Sequence, residues 1–179
     1  DGDGWGGPAS DNPYFNTTAK HSYSVGDDFN HSSTLTRNYV KQTVKHWIEE
    51  YKIDGLRWDL TKGFTQNCTS GDDACTNAYQ QDRVDVLKEY ADYCWTLDNN
   101  HYVIFEHLGT DGEEQQWANY RIGEGKGIMM WGEMYTQYKE LAMGYTTQNI
   151  SRMSHTSRGF TGKRLIGYPE SHDKDRMMY

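Results

Sequence analysis

The apolar positions of this chain change their period several times, and each change marks an element. Between 34 and 51 they recur at Val40, Val44, Trp47, Ile48 and Tyr51, the i, i+4, i+7, i+8, i+11 spacing of a helix with one buried stripe. Ser32 or Ser33 stands where its N-cap belongs. The apolar run IDGLRWD at 53–59 follows almost at once and reads as a strand. Residues 61–78 read as a long polar loop, and 79–97 as a second helix with Val84, Leu87, Ala91, Cys94 and Trp95 on one face. YVIFEH at 102–107 supplies a strand over 102–106, 111–120 a short polar helical stretch, and GIMMW at 127–131 a third strand. Helical pieces near 134–146 and 150–157 lead to a fourth strand at 164–169. Residues 1–31, rich in Gly, Asp and Asn and carrying Pro8 and Pro13, hold no period and read as loop. Strands alternating with helices predict parallel βαβ units, with the helices on one side only of a four-stranded sheet.

Three of these strands end in a carboxylate: Asp59, Glu106 and, in IGYPESHD at 166–173, Asp173. Acidic residues are depleted in strands and costly to bury, so the repetition needs a common cause. A parallel barrel supplies one, because its catalytic groups sit at the C-terminal ends of several strands. About 31 residues per strand–helix unit is expected for a barrel of about 250 residues. Asp59 and Glu106 are 47 positions apart, one unit with a long loop. Glu106 and Asp173 are 67 apart, two units with the 127–131 strand between. The expected fold is α/β, a partial (β/α)8 barrel over 32–179 preceded by a loop segment at 1–31.

Composition narrows the class. A chain of 179 residues suits one domain but is short for a closed barrel. It opens inside a Gly/Asp loop without Met and so reads as a piece of a longer protein. A net charge of −8 with no basic run argues against nucleic acid, and no apolar stretch approaches the ~20 residues of a membrane span. Aromatic residues reach 14% against only 35% hydrophobic, a skew that suits ring surfaces for stacking on sugars, although Tyr and Trp also fill ordinary cores. Cys68 and Cys75 flank a short polar loop and could close a small disulfide in an exported protein, which favours an extracellular or periplasmic location. Cys94 sits on a helix's apolar face as a buried thiol, and the lack of a CxxC pair argues against structural zinc.

Alternation along 53–59 puts Gly55, Arg57 and Asp59 on one face and Leu56 and Trp58 on the other. Arg57 and Asp59 then point together into the barrel mouth, where the guanidinium favours the ionised carboxylate that a nucleophile requires. Glu106 shares its face with Ile104 and Tyr102. A carboxyl among such neighbours and near another carboxylate keeps its proton to higher pH, as a general acid must. His172 and Asp173 could grip sugar hydroxyls. Each feature also has a plainer reading: a structural ion pair, a loop carboxylate and a solvated turn, respectively.

DGLRWDLTKGF at 54–64, VIFEH at 103–107 and PESHD at 169–173 together resemble, in order and spacing, the second, third and fourth conserved regions of the α-amylase family of glycoside hydrolases. The leading stretch DNPYFNTTAKHSYSVGDDFNHSS also resembles the segment before the third barrel helix in bacterial members. The resemblance implies a (β/α)8 barrel of which this chain covers about strands four to seven, with 1–31 drawn from the long loop after strand three. It implies Asp59 as nucleophile, Glu106 as acid/base and Asp173 as the carboxylate that holds the distorted sugar. Arg57 and His172 would be supporting contacts, and Lys62 a leaving-group-side contact. The implied activity is retaining hydrolysis of α-glucosidic, mainly α-1,4, linkages in starch-like glucans, with an α-glucan as the partner molecule and no cofactor in the chemistry. Family members often hold a structural calcium, drawing on a His where this chain has Gly63 and on a region that this chain lacks; the resemblance thus allows a structural calcium in the full-length parent and argues against one here. Ser171 also replaces a frequent Asn. DGDG at 1–4 is oxygen-rich but lacks the rest of a calcium loop.

Three other readings compete. Strand-end carboxylates can hold Mg²⁺, but Arg57 beside Asp59 would compete with the metal. Glucan-branching and trehalose-releasing members of the same family share the three carboxylates. A piece with only part of a barrel could instead be an inactive carbohydrate-binding fragment.

Overall fold

A computed structural model describes residues 7–23 and 26–177; the DGDG stretch at 1–4 lies outside the described residues. The elements, in chain order, are α1 (Thr34–Tyr51), β1 (Gly55–Trp58), a 3-10 turn at Thr61–Phe64, α2 (Asp73–Asn77), α3 (Gln81–Leu97), β2 (Tyr102–Phe105), α4 (Asp111–Ala118), β3 (Met129–Glu133), α5 (Tyr135–Ala142) and β4 (Leu165–Tyr168). Short 3-10 turns stand at Ile122–Glu124, Ser151–Met153 and His155–Arg158. The four strands form one parallel sheet in sequential order β1-β2-β3-β4. The architecture is α/β, as the alternation of periods predicts.

Register fixes which side chains share a face. Leu56 pairs with Val103, Trp58 with Phe105, Phe105 with Met130 and Met130 with Leu165, so these apolar residues line one side of the sheet. There they meet Val44 and Ile48 of α1, Val84, Leu87, Tyr90, Ala91, Cys94 and Trp95 of α3, and Trp117 and Ala118 of α4, in one continuous core. Many of these are fully buried, each contributing roughly 1.5–3 kcal/mol of transfer free energy against the entropy of ordering the chain. The other face carries Gly55, Arg57, Tyr102, Ile104, Met129, Trp131, Ile166 and Tyr168, and it is much less covered.

Three expectations need correction. Trp47 and Tyr51 are 44% and 62% exposed and are not part of the stripe of α1. The core-facing row is Thr36, Val40, Val44 and Ile48, spaced by four, with Val40 partly buried; Trp47 and Tyr51 lie one row around the helix and meet each other at 4.8 Å with their rings tilted. The 127–131 strand runs two residues later, so it ends in Glu133. The helical stretch near 150–157 is two 3-10 turns.

The 61–78 segment also contains more structure than a polar loop. Besides the 3-10 turn it holds α2, whose Asp72 N-cap accepts from the Cys75 amide at 2.9 Å. Cys68, buried at the foot of this loop, is bonded to Cys75 with Cα atoms 5.7 Å apart, and Cys94 is a buried free thiol. The bond spans a separation of 7 residues, and closing so short a loop restricts the unfolded chain by about 2 kcal/mol. Replacing both cysteines by serine should lower the unfolding free energy by that amount in a denaturant titration. An unchanged midpoint would mean that the Asp72 cap and the Arg83 contacts hold the loop unaided.

Among the described residues no helix is long and apolar enough to cross a membrane.

Candidate functional site

Because Trp58 and Phe105 pair, β1 and β2 end level, and the next residue of each is a carboxylate: Asp59 and Glu106. The Glu106 amide donates to the Trp58 carbonyl at 3.0 Å, extending the ladder one step past the strands. Arg57, two residues before Asp59, returns to the same face and bridges the two acids. Its Nη1 donates to Asp59 Oδ1, and its Nη2 donates to Glu106 Oε2 at 2.7 Å. The guanidinium carbon lies over the Trp131 ring of β3, 4.0 Å from its centroid, and Trp131 meets the Tyr168 ring of β4 edge-on at 4.8 Å. The cation is thus held by stacking below and two carboxylates at its edge, an arrangement that suits a planar guanidinium and not a lysine.

The backbone contributes as well. Leu60 follows Asp59 in the left-handed region, φ 40 and ψ 56, a conformation that costs a leucine roughly 1–2 kcal/mol. That turn aims its amide at Glu106 Oε2, 3.1 Å away. Strain next to a strand-end acid and spent on orienting another marks a site rather than a connector.

The two carboxyls differ in exposure and in charge preference. Asp59 is 74% exposed in its side chain and Glu106 only 13%. A hydrogen bond from Glu106, followed by the Arg57 guanidinium and the charge of His172, holds the Asp59 carboxyl below the usual range. Burial, and then the hydrogen bond to Asp59, pushes Glu106 above it, although the Leu60 amide and Arg57 pull the other way. The pair therefore favours one proton, carried by Glu106 and donated to an ionised Asp59.

The remaining predicted residues lie apart from this pair. His172 and Asp173 occupy an exposed turn after β4, joined to each other at 3.3 Å, with side chains 68% and 56% exposed. His172 acts on Asp59 through its charge, whereas Asp173 acts on Tyr168 and on neither member of the pair. Lys62 points away. Its amine donates to Asn77 at 2.8 Å and lies over the Tyr23 ring, with no hydrogen bond to Arg57, Asp59 or Glu106.

Sequence reasoning missed Glu133 and Trp131. Glu133 is a fourth strand-end carboxylate on the open face, and it pairs with Lys174 at 3.2 Å, beside Asp173. Carrying the two-residue alternation past Trp131 would have found it.

Where the resembling family places a calcium-linked His, this chain has Gly63. Gly63 offers no side-chain ligand, and a Cβ there would come within 3.0 Å of the His21 ring, which pairs with Asp28 at 3.3 Å. Among the described residues no group of three or more His, Cys, Asp or Glu side chains is arranged to hold a metal ion.

No protein-family model matches the chain, and no curated protein is similar to it at a significant level.

Proposed function

We propose that this chain is the catalytic portion of a retaining glycoside hydrolase acting on α-glucosidic linkages of starch-like glucans. In this reading its four parallel strands are strands four to seven of a (β/α)8 barrel, 32–179 is part of that barrel, and 1–31 is the loop entering it. One observation carries the reading: a single guanidinium spans two strand-end carboxyls whose proton affinities are driven in opposite directions. Acids close enough to share one guanidinium stand nearer than the about 6.5–9.5 Å of an inverting pair, which favours the retaining arrangement.

The mechanism follows from the two protonation states. Ionised Asp59 attacks the anomeric carbon while Glu106 gives its proton to the departing glycosidic oxygen, so the leaving group departs as an alcohol and a glycosyl–Asp59 ester forms. Glu106, now a carboxylate, takes a proton from water as that water attacks the ester. Asp59 is released, and Glu106 ends protonated as it began. Arg57 keeps Asp59 ionised before the attack and stabilises the carboxylate released when water cleaves the ester. The sugar contacts that the resemblance implies for Asp173, His172 and Lys62 stand apart from the pair here, since the first two share an exposed turn and the Lys62 amine is held by Asn77, so the reading rests on Asp59, Glu106 and Arg57. The ring surfaces of Trp131 and Tyr168 border the same face and add apolar area for a sugar. The Cys68–Cys75 disulfide supports an extracellular or periplasmic location.

The test is proton NMR of the first product released from a maltooligosaccharide by the protein with the remaining barrel strands present. Two displacements at one carbon should give the α-anomer first. A β-anomer would mean single displacement and would remove Asp59 from the nucleophile's role.

A further inference from the structure

Directly behind Glu106, on the covered side of the sheet, four polar side chains form a closed chain of hydrogen bonds with no exposure to solvent. Arg83 of α3 is fully buried and clamps Glu113 of α4 with both edges, Nε to Oε1 and Nη2 to Oε2, each 2.6 Å. Its Nη1 and Nη2 also donate to the carbonyls of Thr76 and Ala78 at 2.7 Å. Glu113 Oε2 lies 3.0 Å from His107 Nε2, and His107 Nδ1 lies 3.1 Å from the hydroxyl of Thr61. Thr61 closes the chain on the site: its amide donates to the Glu106 carbonyl at 2.9 Å, and its hydroxyl stands 3.1 Å from the same oxygen. All four side chains sit in residues at most 1% exposed.

Hydrogen counting fixes the direction of the chain. Burial works against charge on Glu113, but hydrogen bonds from His107 and Arg83 hold its carboxyl below the usual range, so it is an acceptor only. His107 Nε2 must then carry the proton. Burial lowers the imidazole's affinity for a second one, which leaves Nδ1 an acceptor. The single hydroxyl hydrogen of Thr61 goes to Nδ1, and the Thr61 amide is left to hold the Glu106 carbonyl. The ring occupies the space that a Cβ at position 109 would need, 2.5 Å away, so glycine is required there.

A buried Arg–Glu pair contributes little net stability compared with apolar residues of the same volume, because both charges lose their hydration. What such a pair does supply is a fixed orientation. We propose that Arg83, Glu113 and His107 are positioning residues that lock Thr61, and that Thr61 in turn fixes the main chain at Glu106, setting the reach of its carboxyl toward the leaving-group oxygen. This rests on Glu106 being the acid of the proposed reaction. None of the four touches the sugar.

The test compares Thr61→Val, which keeps shape and removes the hydroxyl, with Thr61→Ser, which restores it, on two substrates. A maltooligosaccharide needs its leaving oxygen protonated; an aryl α-glucoside with a strongly acidic phenol does not. Misplacing a general acid by a fraction of an ångström costs roughly 10- to 100-fold. Thr61→Val should therefore lower kcat/KM on the maltooligosaccharide by about that factor, change it less than about threefold on the aryl glucoside, and be rescued by Thr61→Ser. If Thr61→Val does not fold, Thr61→Ala carries the same comparison. An equal fall on both substrates, or no fall, overturns the relay. Glu106→Gln run alongside separates the two ideas. If it shows the leaving-group dependence and Thr61→Val does not, the relay alone is wrong; if Glu106→Gln lacks it, the acid assignment and the relay fall together.

Discussion

Asp59→Ala is expected to abolish turnover of α-glucans, with kcat falling by about 10⁴-fold or more, the scale seen when a covalent nucleophile is removed. Arg57 cannot replace it, Glu106 is committed to the leaving oxygen, and Asp173 stands on a separate turn. Folding should be little affected, because the side chain is 74% exposed and Arg57 keeps its bond to Glu106 and its stacking on Trp131. A small anion offers a sharper readout than lost activity. Azide can occupy the space left by the carboxylate and attack the same face of the sugar, so Asp59→Ala with azide and an activated aryl α-glucoside should yield β-glucosyl azide. Recovery of activity with an α-azide product, or a variant that still hydrolyses glucans at near wild-type rate, would reject the assignment.

Glu106→Gln carries the second largest effect, and it depends on substrate and pH. On maltooligosaccharides kcat/KM should drop by about 10²- to 10⁴-fold, the usual contribution of a positioned acid. On aryl glucosides with acidic phenols the drop should be small. The pH profile follows from the directions of the two shifts. The proposed reaction requires Asp59 ionised, and its affinity for a proton is lowered, so the acid limb should lie below the ordinary carboxylate range. Activity also requires Glu106 protonated, and its affinity is raised, so the alkaline limb lies above that range. The plateau should be broad, with apparent values belonging to the pair and not to either residue. Glu106→Gln should erase the alkaline limb on aryl glucosides and retain an acid limb, now set by Asp59 and Arg57 alone. Persistence of the alkaline limb would show that another group donates the proton.

Much of the frame of this protein is written in local periodicity. The α1 and α3 helices, the four strands and their parallel pairing are legible because periods of 3.6 and 2 survive in the sequence, and helices between strands force crossovers. The common face of Arg57 and Asp59 is legible for the same reason: two residues apart on a strand, they cannot face opposite ways. Local pattern also ends where burial depends on what packs opposite. Trp47 and Tyr51 satisfy a helical stripe on paper, yet the row through Val44 and Ile48 is the one that meets the core.

The site itself was decided in three dimensions. Arg57 and Glu106 lie 49 positions apart, and only the level ending of β1 and β2 brings them to 2.7 Å. The left-handed turn at Leu60 has no signature in a leucine, since its cost is borne by contacts elsewhere. The chain from Arg83 through Glu113 and His107 to Thr61 draws on α3, α4, the end of β2 and a 3-10 turn, residues whose types read as surface polars. Sequence determined which residues could face one another, because alternation is a property of the chain. Tertiary structure decided which of them share a proton, because that depends on distances of a few ångströms between strands that the chain visits far apart.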